Sequence, residues 1–328
     1  MLKTWHRPRF RFEQAPLIHV LRVGGAFFVC LLIAALFPNP HSIWMLISVL
    51  AVMGSIQYTG SIVEKVWQRA LGTLVGGLGG ILAVWVDRFV SPWGCAALEL
   101  VVAVTASYLS IGRLGYMALV SGITMVMVAN SGDLHIALWR ILNVALGVGV
   151  AQLFAYLVPS RASEHWFFLL GENLRDEYLL YHDVAHGRGM TRERQEAVLL
   201  RGQKLRVLLA SASREAQVAG ARLEGVLHAQ RSVLALLEVM ADERGAPEVE
   251  PLSLEVRGAF LQTLARFDLP APDLPDDGWG AEQRPGHWLE RKLLQQLAWL
   301  DAELQQLLPA LVDWPGLQAE RYSIGKSK

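Results

Sequence analysis

Residues 70–90 read ALGTLVGGLGGILAVWVDRFV. No charge interrupts this stretch before Asp87 and Arg88, and about 20 apolar residues suffice to cross the hydrocarbon core as a helix. In lipid every backbone amide and carbonyl must be satisfied within the segment, which leaves a helix as its conformation. Gly72, Gly76, Gly77, Gly79 and Gly80 punctuate it. Gly72, Gly76 and Gly80 recur at every fourth position and share one helical face. A small-residue face of this kind lets a second helix approach closely.

Working outward, two apolar segments precede this one, Leu17–Phe37 and Ile43–Tyr58. Three follow it, Cys95–Ser110, Tyr116–Ala129 and Ile136–Val158. The connections are brief: Pro38-Asn39-Pro40-His41, Ser91-Pro92-Trp93-Gly94, Ile111–Gly115 and Asn130–His135. Proline and glycine mark turns of this sort. The second, fourth and fifth segments are short for a crossing, so their ends are expected to run into the flanking turns. Of the 30 basic and 30 acidic residues, only ten lie between Pro16 and Val158. The expected fold class is therefore all-α. A basic segment (residues 1–15) leads into a six-helix transmembrane module (16–160), which is followed by a cytoplasmic α-helical domain (161–328).

The formal net charge is 0, so bulk charge gives no support for a nucleic acid partner. Cys30 and Cys95 are the only cysteines and both lie in apolar runs, which argues against a disulfide framework or a CxxC metal site. Met1–Phe12 is basic and aromatic, and the apolar run after it is long for a signal-peptide core. Lys3, Arg7, Arg9 and Arg11 precede the first segment. Lys65 and Arg69 fall between the second and third, Arg113 between the fourth and fifth, and Arg161 after the sixth. The opposite side carries Arg88. Basic residues mark cytoplasmic loops, so both termini are expected in the cytoplasm. Trp5, Trp44, Trp67, Trp93, Trp139 and Trp166 sit near segment ends, where interfacial tryptophans gather.

Four ionisable residues fall inside or at the mouths of the apolar segments: Arg22, Arg69, Glu99 and Arg140. Such groups are costly in a bilayer and face a bundle interior or a watery cavity, unless they snorkel to the interface. For Arg22 both readings stand. Arg69 and Arg140 read as functional. Glu99 is either an ion-pair partner for an arginine or a proton-coupling carboxylate. Trp67-x-Arg69 precedes the glycines of the third segment, and Trp139-Arg140 precedes Gly147 and Gly149 of the sixth. Three segments apart, the two arginines would enter from opposite sides, as in a 3+3 inverted repeat. Arginines there could bind carboxylates bidentately.

These same residues carry a family likeness. Gln57-Tyr58-Thr59-Gly60, then Trp67-Gln68-Arg69-Ala70-Leu71-Gly72-Thr73-Leu74-Val75-Gly76-Gly77, resembles the fusaric acid resistance and aromatic acid exporter family. So does Ala137-Leu138-Trp139-Arg140-Ile141-Leu142-Asn143-Val144-Ala145-Leu146-Gly147. The plant aluminium-activated malate channels are similar in the same region. The resemblance covers residues 15 to 160. It implies a six-span module that moves small organic anions, often aromatic carboxylates, across the bacterial inner membrane. It places Arg69 and Arg140 at the family's basic positions and Gly72, Thr73, Gly76 and Gly147 at its close-packing positions, with Gly80 extending the same face. Many members carry two modules where this sequence has one, from which a homodimer or higher homo-oligomer is expected. Some members work with a periplasmic adaptor.

Beyond Pro159 the pattern is charged and helix-forming. Helices are predicted over Ser163–His186, Thr191–Ser213, Gln217–Asp242, Pro251–Phe267 and His287–Leu308, with a Pro-, Asp- and Gly-rich loop over 269–286. Leu289, Leu293, Leu297, Leu300, Leu304 and Leu307 form an apolar stripe. It could pack in its own bundle or pair with another subunit. No catalytic constellation stands out, and no cofactor is expected. His182 and His186 lack carboxylate companions for a zinc site, and Gly202-Gln203-Lys204 is not a P-loop. Three functional readings follow: a secondary exporter of organic anions, an anion channel, or a non-transporting membrane protein that recruits a partner through its helical domain.

Overall fold

The structure, a computed structural model, describes residues 8–39, 41–55, 58–112, 114–131, 134–185, 189–243, 254–267, 269, 272 and 288–312. Lys3, Trp5, Arg7, Pro40, Gln57, Arg113, Asp133, His186, His287, the start of the fourth predicted soluble helix and most of the 269–286 loop lie outside the described residues. Every regular element among the described residues is a helix. The chain divides into two units. One is Gln14–Ser160; the other joins Met1–Glu13 with Arg161–Lys328.

A short helix α1 (Pro8–Glu13) belongs to the second of these units. The first contains α2 (Ala15–Leu36), α3 (Ile43–Met53), α4 (Thr59–Phe89), α5 (Pro92–Leu109), α6 (Gly115–Ser131) and α7 (Leu134–Leu157). Among the described residues, four stretches are long and apolar enough to cross a membrane: Ala15–Leu36, Thr59–Phe89, Pro92–Leu109 and Leu138–Leu157. Helices α3 and α6 are apolar but shorter. Tyr58 does not extend α3, which stops at Met53 with Gly54 as its cap. Helix α4 begins well before the apolar run, because Ile62 and Val66 already bury on its inward face. That face continues through Arg69, Thr73, Gly76, Gly80 and Ala83 at helical spacing.

The core of this unit joins Ala26 and Cys30 of α2, Met45, Val49 and Val52 of α3, Ile62 and Val66 of α4, and Val144, Val148, Ala151 and Ala155 of α7. Helix α5 buries no residue and packs at the edge against α4 and α6. Leu78, Phe89, Leu100, Val101 and Val104 point outward. An apolar surface of that extent marks an interaction site in water and suits a membrane-facing one.

The other unit is built on α8 (Ala162–Ala185), with α9 (Arg192–Ala216), α10 (Gly220–Glu243), α11 (Leu254–Ala265) and α12 (Trp288–Leu311) around it. Trp166, Phe167, Leu170, Leu174, Tyr178 and Tyr181 of α8 are buried. All six leucines of the α12 stripe are buried too, against α10 and α11. That settles the stripe as the core of its own bundle. Helix α1 packs on α8: Arg11 pairs with Glu164 at 2.9 Å, and the Phe12 ring lies 4.7 Å from the His165 ring and 5.6 Å from that of Phe168. Burial, with Lys204 nearby, lowers the His165 pKa to about 4, so the ring packs as a neutral aromatic.

Candidate functional site

The inward face of α4 lies along α6. A methyl group built on Gly72 would come 2.7 Å from the Met117 carbonyl oxygen. One on Gly76 would come 2.3 Å from the Ser121 carbonyl oxygen, and one on Gly80 2.5 Å from Val128 Cβ. The contacts climb both helices together, so α4 and α6 run parallel. Gly147 does the same for α7, where a methyl would come 2.3 Å from the Met45 carbonyl oxygen of α3. Real side chains do not approach backbone that closely, so these glycines are what allow the helices to touch. Thr73 is buried on the same face of α4.

Between these packed pairs stand two arginines. Arg140 of α7 is 3% exposed. Its guanidinium lies over the Trp44 ring of α3, 3.7 Å from the centroid. Nη1 donates to Met127 Sδ at 2.8 Å and Nη2 to Thr124 Oγ1 at 3.2 Å, both on α6. Nε is buried without a hydrogen-bond partner. Arg69 of α4 is 8% exposed, and its Nε also lacks a partner. It lies near enough to Arg140 for the two charges to repel, and beside the Tyr116 hydroxyl of α6. The Lys65 ammonium stands 5.2 Å over the same Tyr116 ring. Neither Arg69 nor Arg140 has a carboxylate within ion-pair distance among the described residues. A buried charge costs several kcal/mol, roughly, unless paired and hydrogen-bonded. Two close cations raise that cost, and an anion between them would offset it.

Asn143, one turn along α7 from Arg140, adds an unused acceptor. Its Nδ2 donates to Asn39 Oδ1 at 3.0 Å and to the Trp139 carbonyl at 2.9 Å, while its buried Oδ1 has no partner.

The remaining sequence-predicted residues lie apart from this pair. Arg22 is buried, not snorkelling; Nη1 donates to the Val158 carbonyl at 3.4 Å and Nη2 lies 3.4 Å from His19 Nδ1. Val158 follows the C-terminal end of α7, roughly 25 Å along the helix from Arg140. A cation there complements the exposed carbonyls of the helix end, so Arg22 fastens α2 to α7. Glu99 sits on the peripheral α5 and accepts from Asn130 Nδ2 at 3.2 Å; no arginine among the described residues pairs with it. Among the described residues no cluster of three His, Cys, Asp or Glu could hold a metal ion.

Trp44, Thr124, Met127 and Asn143 were not legible as site residues. Trp44 reads from sequence as an interfacial tryptophan, and its place under Arg140 depends on α3 packing against α7. Thr124 and Met127 are unremarkable members of an apolar run.

Comparison with known proteins bears on the same residues. Residues 29–159 match the family described as fusaric acid resistance protein-like. The chain is 31% identical over 238 residues to inner membrane protein YeeA of Escherichia coli (strain K12). That match covers 70% of this chain and 66% of YeeA, so the chain spans just under two thirds of its relative's length. Helices α3–α7 and the end of α2 fall within the matched region, which contains both Arg69 and Arg140, and over it the chain is similar to the fusaric acid resistance protein-like family of membrane proteins.

Proposed function

We propose that this protein is a secondary transporter that exports organic carboxylate anions, aromatic ones foremost, across the bacterial inner membrane. Helices α2–α7 form a six-helix transmembrane module in this reading, with both termini and the helical bundle on the cytoplasmic side, and the working form is a homo-oligomer. The name of the relative, an inner membrane protein, supports the location.

The observation that carries the reading is the pair of buried arginines, neither with a carboxylate partner among the described residues. A carboxylate binds guanidinium groups through short charge-assisted hydrogen bonds, and Trp44 beneath Arg140 offers an apolar face to the body of such a ligand. Of the two roles open to Glu99, its bond to Asn130 rather than to an arginine favours proton coupling.

Proteoliposomes loaded with benzoate-like and aliphatic carboxylates test this. Efflux should depend on an imposed proton gradient, and Arg140→Ala or Arg69→Ala should lower it by about 30-fold or more, as when one partner of a buried charge contact is removed. Currents independent of the gradient would make the protein a channel. Wild-type flux no greater than that of empty vesicles, for every carboxylate, would overturn the transport reading.

A further inference from the structure

The helix pairings of the membrane unit have an exchange symmetry. Replace α2, α3 and α4 by α5, α6 and α7, and each extensive pairing maps onto another. The α2–α3 pair maps onto α5–α6 and α3–α4 onto α6–α7. The α2–α7 pair maps onto α5–α4 and α3–α7 onto α6–α4, while α4–α7 maps onto itself. A unit of three crossings ends on the side opposite its start, so the second copy is inverted. The antiparallel course of α4 and α7 agrees: Thr59 at the start of α4 donates to the carbonyls of Ala155 and Ser160 at the end of α7.

Residue chemistry follows the same exchange. The spacing from Arg69 to Gly76 equals that from Arg140 to Gly147. Each glycine rests on a backbone carbonyl of its partner helix, Ser121 of α6 for Gly76 and Met45 of α3 for Gly147, and the built methyl would come 2.3 Å from either oxygen. Ser121 and Met45 are thus equivalent positions. The step from Ser121 to Thr124 equals that from Met45 to Ser48. Thr124 and Ser48, both buried hydroxyls, therefore occupy matching places.

The two halves differ in how those hydroxyls are used. Thr124 accepts from Arg140 at 3.2 Å. Ser48 donates instead to the Trp44 carbonyl within its own helix at 2.7 Å, and the Arg69 side chain lies beside the Tyr116 hydroxyl rather than on Ser48. A symmetric pair of latches stands with one closed and one open.

We infer that Ser48 is a positioning residue for Arg69, receiving it in a second arrangement as Thr124 receives Arg140 in this one, so that the two arginines take turns at being held. In the transport reading, on which the purpose of this device rests, the exchange passes the anion from one arginine to the other. A ligand-free protein already samples both arrangements, and removing a contact made in only one of them shifts the populations.

The test uses full-length protein in proteoliposomes with Cys30 and Cys95 replaced by alanine. Single cysteines are placed at Gln68, beside Arg69, and at Trp139, beside Arg140, and their rates of modification by a membrane-impermeant thiol reagent are measured without substrate. Thr124→Ala should shift the reactivity ratio of the two reporters one way and Ser48→Ala the other, each by about tenfold, as for a hydrogen bond to a charged group. The conservative Ser48→Thr and Thr124→Ser should leave the ratio unchanged. Shifts in the same direction, or none for Ser48→Ala in protein that elutes as the wild type does, would overturn the inference. If either alanine variant fails to fold, the two conservative variants decide: altered ratios there overturn it as well. Labelling needs no flux, so a failure of the transport reading shows separately, as absent efflux.

Discussion

The two units hold their arginines differently: one pairs them with carboxylates at or near its surface, and the other buries them. In the unit built on α8, Arg266 meets Asp301 through two hydrogen bonds, Arg222 meets Glu303 at 2.6 Å, Arg194 meets Asp183 at 2.7 Å, and Arg201 bridges Asn173 and Asp176. In the membrane unit Arg140 has a hydroxyl, a thioether and a tryptophan ring for company, and Arg69 lies beside the Tyr116 hydroxyl. Paired charges serve a structure that is complete in itself. Uncompensated ones are poorly accounted for by stability, and a ligand of opposite charge explains them.

The largest effect that would sharpen this contrast concerns how helices are held. Gly76→Val, which drives side-chain atoms into the Ser121 carbonyl, should cost more than the roughly 1–3 kcal/mol typical of overpacking and abolish the folded peak in size-exclusion chromatography. Gly202→Ala in α9, where nothing lies within 4 Å, should stabilise by up to about 1 kcal/mol through helix propensity. Next come the arginines. Arg140→Met keeps the bulk but removes the charge; flux should fall sharply while Tm holds or rises. Arg266→Met should do the reverse, lowering Tm by several degrees because Asp301 loses its charged partner, a loss of about 1–3 kcal/mol, and leaving flux unchanged. A fall in Tm for Arg140→Met matching that for Arg266→Met would erase the distinction between the halves.

The smallest effect tests the paired half. Glu177 of α8 is wholly buried, receives a hydrogen bond from Gln230, and is held well above its ordinary pKa by burial. Unfolded, the carboxyl ionises near 4.5. As pH rises past that value the unfolded chain releases its proton before the folded one, so stability falls until the raised folded value is reached. Glu177→Gln should remove this slope. Its Tm advantage over wild type should grow by a few degrees between pH 5 and pH 8, read by scanning fluorimetry in detergent.

Much of the helical architecture was legible along the chain. The predicted Ser163–His186 and His287–Leu308 appear as α8 and α12 within a few residues, since apolar periodicity is local. Helix α4 begins earlier than its apolar run, because turns with one buried face need no apolar majority. Helix α1 was read only as a basic tail, and its docking on α8 depends on Glu164 and Phe168, far off in sequence.

The sequence by itself determined that these segments are helices, that one half suits lipid and the other water, and that Arg69 and Arg140 precede glycines in a repeated pattern. Those are consequences of residue type and spacing, which act over a few turns. Only the tertiary structure decided that α4 packs on α6 and α3 on α7, that Glu99 bonds Asn130, that Arg22 fastens a helix end, and that Thr124 holds Arg140 while Ser48 does not hold Arg69. Each of those depends on which helix lies beside which, and backbone approach at a glycine sets that only once both partners are in place.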